Sequence, residues 1–191
     1  MMASRIGAIA ATAIALGFAA APAKAAELFS IKSSTFADGK IMPKKVANST
    51  ANAPTNPNCV GENVSPQFSW SNVPDGTKSF VFLMIDPEGR APGGVNHWVA
   101  YGIPASVTGF AEGEVSKPSD KYVGGQSLMK LPSYFGPCTP PGAPHHYTFT
   151  LIATDLEPTA LKEGMTRDEV IKALEGHAKG ATGLIGTFSK S

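Results

Sequence analysis

The sequence predicts a mainly β domain, with antiparallel strands and one peripheral helix near the C-terminus. Its 20 glycines and 16 prolines are many for 191 residues, which indicates short elements joined by elaborate loops rather than a helical bundle. The apolar run of residues 79–85 carries no charge and is typical of a central strand that is buried on both faces. Only residues 166–178 combine a capping motif with a helical apolar stripe, so a single helix is predicted.

The first half of the chain is predicted to contribute three strands. Residues 29–32 alternate between apolar and polar side chains, which is typical of an edge strand. Residues 47–66 are rich in Asn, Pro and Ser and are predicted to form a loop. Residues 67–70 form a short strand that ends at the turn signal of residues 73–76, and the central strand 79–85 follows.

The second half is predicted to add two strands before the helix. Residues 97–102 form a strand that Pro104 stops, and residues 111–144 are mostly irregular. Residues 146–154 form a strong strand in which aromatic and aliphatic side chains occupy one face. The side chains of that face are Tyr147, Phe149 and Leu151.

The predicted helix begins with a capping box, in which Thr166 is followed three positions later by Glu169. Gly180 is expected to end it, and residues 184–188 are expected to close the chain as a strand. The apolar stripe of the helix consists of Val170, Ile171, Leu174 and Ala178.

Residues 1–25 have the pattern of a signal peptide. Arg5 precedes a small, apolar run, and Ala23-Lys24-Ala25 is typical of a processing site, so cleavage is expected after Ala25 or Ala26. An uncleaved anchor is the alternative, but the apolar run is shorter than the roughly 20 residues that a spanning helix needs. We therefore expect a periplasmic or secreted protein, with a single domain over residues 27–191 and no stable membrane insertion.

Charge and cysteine content limit the partners and suggest a bridge. The formal net charge is +1, so no global field attracts nucleic acid or an acidic membrane. In an oxidising compartment Cys59 and Cys138 are candidates for a disulfide. The alternative is a pair of loop thiols that never meet, because the sequence does not supply the distance between their Cα atoms.

Polar residues that are suited to chemistry stand at the ends of the predicted strands. Asp86 follows the central strand, and a buried carboxylate is costly without partners, so it either caps a turn or belongs to a site. His97 begins the next strand and, taken alone, is more simply a core histidine. His145 and Tyr147 are two positions apart and lie on one face if the strand begins there.

Two catalytic arrangements can be drawn from these residues. Asp86, His97 and His145 provide the ligand types of a two-histidine, one-carboxylate metal site, although no His-Glu-x-x-His motif is present. Ser127 or Ser133 could complete a triad, but neither lies in a Gly-x-Ser-x-Gly elbow. We rank both below ligand binding and expect no cofactor.

Two motifs follow each other along the chain, and each falls at a predicted strand end. The first comprises Asp86-Pro87-Glu88, Pro92 and His97-Trp98, and the second comprises Gly136-Pro137, Pro141-Gly142 and His145-His146-Tyr147. Together they resemble the phosphatidylethanolamine-binding protein family, and more closely its bacterial, Raf-kinase-inhibitor-like branch. The resemblance extends over about residues 28–190.

The resemblance implies a sandwich of packed antiparallel β-sheets with a small pocket for phosphate, acetate or a phosphoethanolamine headgroup. By motif position, the ligand-binding residues are Asp86, Pro92, His97, Gly136, Pro141, His145 and Tyr147. Residues expected to support them are Glu88, Arg90, Trp98, Tyr134 and His146.

The sequence departs from the family pattern at two places. Glu88 replaces an aspartate, and Gly89 and Arg90 lengthen or bend the loop that follows it. His146 stands where the family has an arginine, which removes an expected guanidinium that Arg90 is a candidate to replace. Strand alternation directs His146 away from the face of His145.

The sequence therefore predicts an exported, non-catalytic protein that binds a small anion or a phosphorylated headgroup. An ionised Asp86 repels a bare phosphate, so a site with both signs of charge suits a zwitterionic headgroup better than a dianion. One alternative is an interaction module that inhibits a protease or kinase through the pocket rim. The other is the metal-dependent hydrolase.

Overall fold

The computed structural model describes residues 27–90 and 92–190. The predicted signal peptide lies outside these residues. Within them, no helix has the length and apolar character needed to cross a membrane. The strands are β1 Ser30–Lys32, β2 Lys40–Ile41, β3 Phe68–Ser71, β4 Ser79–Asp86, β5 Val95–Pro104, β6 Gly109–Phe110, β7 Val123–Gly124, β8 His145–Thr154 and β9 Ala178–Phe188, and the α-helix is α1 Arg167–Ala173.

The strands form two sheets that pack face to face. The larger sheet has the order β2-β9-β8-β4-β5-β7, and the smaller one has the order β1-β3-β6. All pairs are antiparallel except β2 with β9. Between the sheets, the rings of Phe68 and Phe82 meet edge to face with centroids 4.9 Å apart, and those of Trp70 and Phe80 do so at 5.6 Å. The predicted mainly antiparallel β-sandwich is therefore confirmed.

Strand β4 is buried on both faces, as its continuous apolar sequence predicts. Phe80, Phe82 and Met84 lie in the core between the sheets. Val81 and Leu83 point to the other face, where Val170 and Leu174 of the helix region cover them. The edge position predicted for residues 29–32 is also confirmed, because β3 is the one strand among the described residues with which β1 pairs.

The helix and the last strand differ from the prediction. The capping box is present, with the side chain of Thr166 accepting from the backbone N–H of Glu169, but the helix ends at Ala173. Gly176 adopts a left-handed φ of 79°, which turns the chain earlier than Gly180 would. The chain then runs as strand for 11 residues, because β8 offers a long edge with which β9 pairs.

The ends of three neighbouring strands, β8, β4 and β5, lie together at one end of the large sheet and position the candidate site. Asp86, at the end of β4, is paired with Val95, at the start of β5. On the other side of β4, Ile85 is paired with Thr148, so the first residues of β8 lie beside the same strand end. Antiparallel pairing thus brings together polar residues that are far apart in the sequence.

Candidate functional site

A cavity of about 480 Å³ opens where these three strand ends meet. Four residues predicted to bind a ligand line it: Asp86, His97, His145 and Tyr147. Arg90, predicted as a supporting residue, also lines it and contributes a positive charge at an exposed position. The remaining lining residues are Asn52, Ala53, Pro54, Thr55, Asn56, Gly89, Val95, Leu128, Met129, Phe135, Cys138, Thr139 and Pro140.

The carboxylate of Asp86 is buried, and both of its oxygen atoms accept hydrogen bonds. Its Oδ1 atom accepts hydrogen bonds from the backbone N–H groups of Glu88, at 3.0 Å, and Gly89, at 2.9 Å. Its Oδ2 atom accepts from Nδ1 of His145 at 2.8 Å. Asp86 therefore caps the turn and also forms part of the cavity wall, so the two interpretations of this residue hold together.

The hydrogen bond to Asp86 fixes the orientation of His145. Since an ionised carboxylate only accepts hydrogen bonds, the proton of this bond is on Nδ1 of the imidazole. His145 is partly buried, and its Nε2 atom is the ring nitrogen left for a ligand. The ring is thus held in one tautomer by a neighbouring carboxylate, as in many sites that use histidine.

His97 is oriented in the same manner by a backbone group. Its Nδ1 atom donates to the carbonyl oxygen of Phe135 at 2.8 Å, which leaves Nε2 for a ligand. Burial lowers the pKa of His97, although the Phe135 carbonyl and the charge of Asp86 act in the opposite direction. His97 is therefore neutral at pH 7.

Tyr147 places a hydroxyl group beside the two imidazoles. The hydroxyl shares a 2.7 Å hydrogen bond with that of Thr139, and the ring packs edge to face on His97 with centroids 5.2 Å apart. Burial raises the pKa of Tyr147 well above its ordinary value, so the group stays protonated at neutral pH. It supplies a donor without a charge.

The loop after β4 is shaped by Gly89. A Cβ atom at this position would lie 2.7 Å from a Val95 methyl group and 3.0 Å from Oδ2 of Asp86, so a larger residue would force the turn away from the carboxylate. Arg90, which follows, has a φ of 49°. Gly89 and Arg90 depart from the family pattern, and with Arg90 a guanidinium group becomes part of the cavity lining.

A second histidine–carboxylate pair lies outside the cavity. Nδ1 of His146 donates to Glu88 at 2.6 Å, and both side chains are exposed. The backbone N–H of His146 donates to the other carboxylate oxygen of Glu88 at 3.1 Å. As strand alternation predicts, His146 points away from the face of His145, and this pair ties the β4–β5 loop to β8.

Three residues carried over from the family motifs do not line the cavity. Gly136 is buried, its N–H donates to Oδ1 of Asn63 at 2.8 Å, and a Cβ atom there would overlap the carbonyl oxygen of Val46. Gly136 therefore permits close packing of two backbones. Pro92 and Pro141 are exposed, and neither is part of the lining.

The two aromatic residues predicted in supporting positions belong to the core. Trp98 packs on Phe82 with ring centroids 5.1 Å apart and is fully buried. The hydroxyl of Tyr134 donates to the carbonyl of Val46 at 2.9 Å. Both residues hold the strands and loops that carry the site, without lining the cavity themselves.

Cys59 and Cys138 form a disulfide, with Cα atoms 4.4 Å apart. Cys138 lines the cavity, so the bond joins the long loop of residues 47–66 to the cavity wall. Residues 52–56 of that loop form part of the wall, which the sequence interpretation missed. The candidate bridge between Cys59 and Cys138 was the available signal, because a bond between these two loops brings residues 52–56 close to the second motif.

The metal alternative finds no geometric support. In the part of the chain that the structure describes, no group of three His, Cys, Asp or Glu side chains is arranged to hold a metal ion. Asp86, His97 and His145 line the same cavity without forming such a group. Ser127 and Ser133 are buried and do not line it.

Comparisons with known proteins agree with this architecture. A family model described as "Phosphatidylethanolamine-binding protein" matches residues 32–189. A UPF0098 protein of Methanothermobacter thermautotrophicus is 36% identical, over 75% of this chain and 94% of its own. A Mycobacterium tuberculosis protein whose name describes it as a lipoprotein, LppC, is 35% identical, over 89% of this chain and 77% of its own. The crystal structure of Escherichia coli YbcL, described as a member of the mammalian PEBP family, superposes with a TM-score of 0.75 and 25% identity, over 85% of this chain and 99% of that chain.

Proposed function

The chain belongs to the phosphatidylethanolamine-binding protein family, and from this membership and the cavity we propose that it binds a small anion or a phosphorylated headgroup without catalysing a reaction. The observation that carries the proposal is the convergence of His97, His145 and Tyr147 on one cavity beside Asp86. The alternative of a module that inhibits a protease or kinase stays a prediction.

The hydrogen bonds of the two imidazoles support this function. Both rings use Nδ1 within the protein and both line the cavity, which supports a ligand that contacts the two Nε2 atoms. A protonated imidazole donates to an oxyanion through Nε2, whereas a neutral one in this tautomer accepts from a protonated ligand oxygen. Binding of an anion is therefore coupled to proton uptake.

The charge distribution favours a ligand of low net charge. Asp86 places a carboxylate in the wall, and its partner His145 balances that charge only when protonated. Arg90 adds a permanent positive charge to the lining. A monoanion or a zwitterion suits this combination better than inorganic phosphate in its dianionic form.

Calorimetric titration with phosphate at several pH values tests the proposal. We expect the affinity to rise as the pH falls below about 6.5, the ordinary pKa of histidine. His97→Ala and His145→Ala should each weaken binding, whereas His177→Ala should not, because His177 pairs with Asp155 away from the cavity lining. Equal phosphate affinity in the wild type and in both cavity variants would exclude this function.

We also propose that the protein acts outside the cytoplasm. The N-terminal pattern supports export, and the bond between Cys59 and Cys138 suits an oxidising compartment. The similarity to a protein named as a lipoprotein is consistent with this location. Protein purified from the periplasm of an expression host should begin at Ala26 or Glu27, and recovery of a chain that still contains Arg5 would contradict processing.

A further inference from the structure

The loop between β4 and β5 contacts the start of β8 on both faces of that strand. On the inner face Asp86 accepts from His145 at the cavity, with 2.8 Å between Oδ2 and Nδ1. On the outer face Glu88 accepts from His146, with 2.6 Å between Oε1 and Nδ1. The two histidines are consecutive and therefore point to opposite faces of the strand. Asp86 with His145 is the inner pair, and Glu88 with His146 is the outer pair.

The outer pair fixes the backbone of the loop beside the cavity. Both carboxylate oxygens of Glu88 accept from His146, one from its side chain and one from its backbone N–H. The backbone N–H groups of Glu88 and Gly89 donate to Asp86, so the segment is held from both faces of β8. Arg90 follows directly and lines the cavity. The outer pair therefore helps to determine where the guanidinium of Arg90 lies.

Among the described residues, those beside His146 on the neighbouring strands are uncharged. His146 is paired with Thr187 of β9, and Thr187 is paired in turn with Ile41 of β2. Alternation directs Lys40, the other residue of β2, to the opposite face. At the end of β4, Ile85 is the residue paired with the start of β8. The strands around His146 thus leave its charge to be balanced by the loop.

Within the described chain, Glu88 is the acidic group at ion-pair distance from His146. Two other charged groups near these strands have partners of their own. Lys190 donates from Nζ to a loop carbonyl at 2.8 Å, and Asp38 accepts from a backbone N–H of β9 at 2.8 Å. Slight burial acts to raise the pKa of Glu88, but its hydrogen bonds with His146 outweigh this effect and lower it. The carboxylate is therefore ionised at pH 5.5, and the charge state of the outer pair depends on His146.

We propose that the outer pair positions Arg90 at the cavity, and that it does so more firmly when His146 is protonated. A neutral imidazole already donates to Glu88, and protonation makes this hydrogen bond charge-assisted. Histidine ordinarily titrates near pH 6.5, so the loop becomes more ordered as the pH falls through this region. His146 thus provides a titratable charge where the family pattern has the permanent charge of an arginine.

The order of the loop in the unliganded protein is the first test. The heteronuclear NOE of the Arg90 backbone amide reports order on the picosecond to nanosecond timescale. We expect it to be higher at pH 5.5 than at pH 7.5 in the wild type, high at both pH values in His146→Arg, and low at both in Glu88→Gln. Asp155→Asn is the matched control, because Asp155 forms an exposed pair with His177 away from the cavity lining. A wild-type NOE that does not change with pH, or the same change in Glu88→Gln, would refute the proposal.

Phosphate affinity is the second test, and it rests on the proposed anion site. Comparison of His146→Arg with the wild type at one pH cancels the ionisation of phosphate and of the cavity imidazoles. At pH 7.5 we expect His146→Arg to bind phosphate about two- to fivefold more tightly, the range that an exposed ion pair supplies. At pH 5.5 the two proteins should bind equally, because His146 then carries the same charge.

Glu88→Gln separates positioning from long-range charge, because the two effects have opposite signs. Removal of a negative charge near an anion site strengthens anion binding through Coulomb's law alone. Loss of the positioning of Arg90 weakens it, and at pH 5.5 we expect phosphate to bind Glu88→Gln about two- to fivefold more weakly than the wild type. Equal or tighter binding by Glu88→Gln would contradict the positioning role.

The two measurements distinguish failure of this inference from failure of the proposed function. If the Arg90 NOE responds as expected but the wild type binds no phosphate, the anion site is wrong and the positioning of Arg90 stands. If the wild type binds phosphate through the cavity histidines but His146→Arg binds no more tightly at pH 7.5, the anion site stands and the role of the outer pair is wrong.

Discussion

Oδ2 of Asp86 and Nδ1 of His145 are 2.8 Å apart, although the two residues are separated by 59 positions in the chain. The bond exists because the end of β4 and the start of β8 are neighbours in an antiparallel sheet. The other carboxylate oxygen of Asp86 holds the β4–β5 turn through two backbone N–H groups. One buried side chain therefore sets the turn and the tautomer of an imidazole in the cavity.

Asp86→Asn should switch the tautomer of His145. The amide oxygen can still accept from the N–H groups of Glu88 and Gly89, but the amide nitrogen then faces His145 as a donor. Nδ1 of His145 must become an acceptor, and the proton moves to Nε2. Nitrogen-15 chemical shifts of the ring at neutral pH report this change directly. Asp155→Asn, at the exposed pair with His177, should leave the His145 signals in place.

Gly89→Ala should weaken phosphate binding several-fold and lower the free energy of unfolding by about 1–3 kcal/mol, the usual range for overpacking. The new Cβ atom would lie within 3.0 Å of both Val95 and Asp86, so the turn must move. Gly93→Ala is a matched control in the same loop, because no atom of the residues that the structure describes lies within 4 Å of a Cβ atom there. Calorimetry and urea denaturation of both variants measure the two effects. Equal behaviour of the two variants would show that close packing at Gly89 is unimportant.

The elements that the sequence predicts well are those whose side chains repeat with a clear period. Strand β4 is continuously apolar and the first part of strand β8 alternates. The predicted extents of both strands agree with the structure to within a residue. The sequence pattern assigns the first residues of β9 to the end of the helix, because Ala178 continues the helical apolar stripe and Gly180 resembles a helix stop. Pairing with β8 decides that segment, and no local pattern reports it.

The residues of the candidate site also differ in how far the sequence predicts them. Asp86, His97, His145 and Tyr147 belong to the two motifs that resemble the family pattern, and this resemblance predicts that they line one pocket. The contributions of residues 52–56 and of Leu128 depend on how loops fold across the sheet edge. Loop conformations of this kind are set by tertiary hydrogen bonds and the disulfide, which leave no periodic signal.

Cys59→Ser with Cys138→Ser should lower the free energy of unfolding by about 3–5 kcal/mol. The two residues are 79 positions apart, and a bridge across a loop of this length restricts the unfolded chain strongly. Phosphate affinity should also fall, since residues 52–56 lose the covalent tie to the cavity wall. Reductant should destabilise the wild type to the level of the double variant and leave the variant unchanged. A wild type that is insensitive to complete reduction would contradict the role of the bridge.

The stability of the unliganded protein should fall as the pH decreases from 6.5 to 5. Burial lowers the pKa of His97 below its ordinary value of 6.5, so within this range the unfolded chain binds a proton that the folded protein excludes. The stabilisation due to neutral His97 is complete above 6.5 and is lost as the pH falls toward the lowered pKa of the folded state. Urea denaturation at pH 7, 6 and 5 measures the slope, and His97→Gln should reduce it even if that variant is less stable at every pH. Saturating phosphate should also flatten the slope, because a bound anion favours protonated His97. An equal slope in the wild type and in His97→Gln would mean that another group titrates in this range.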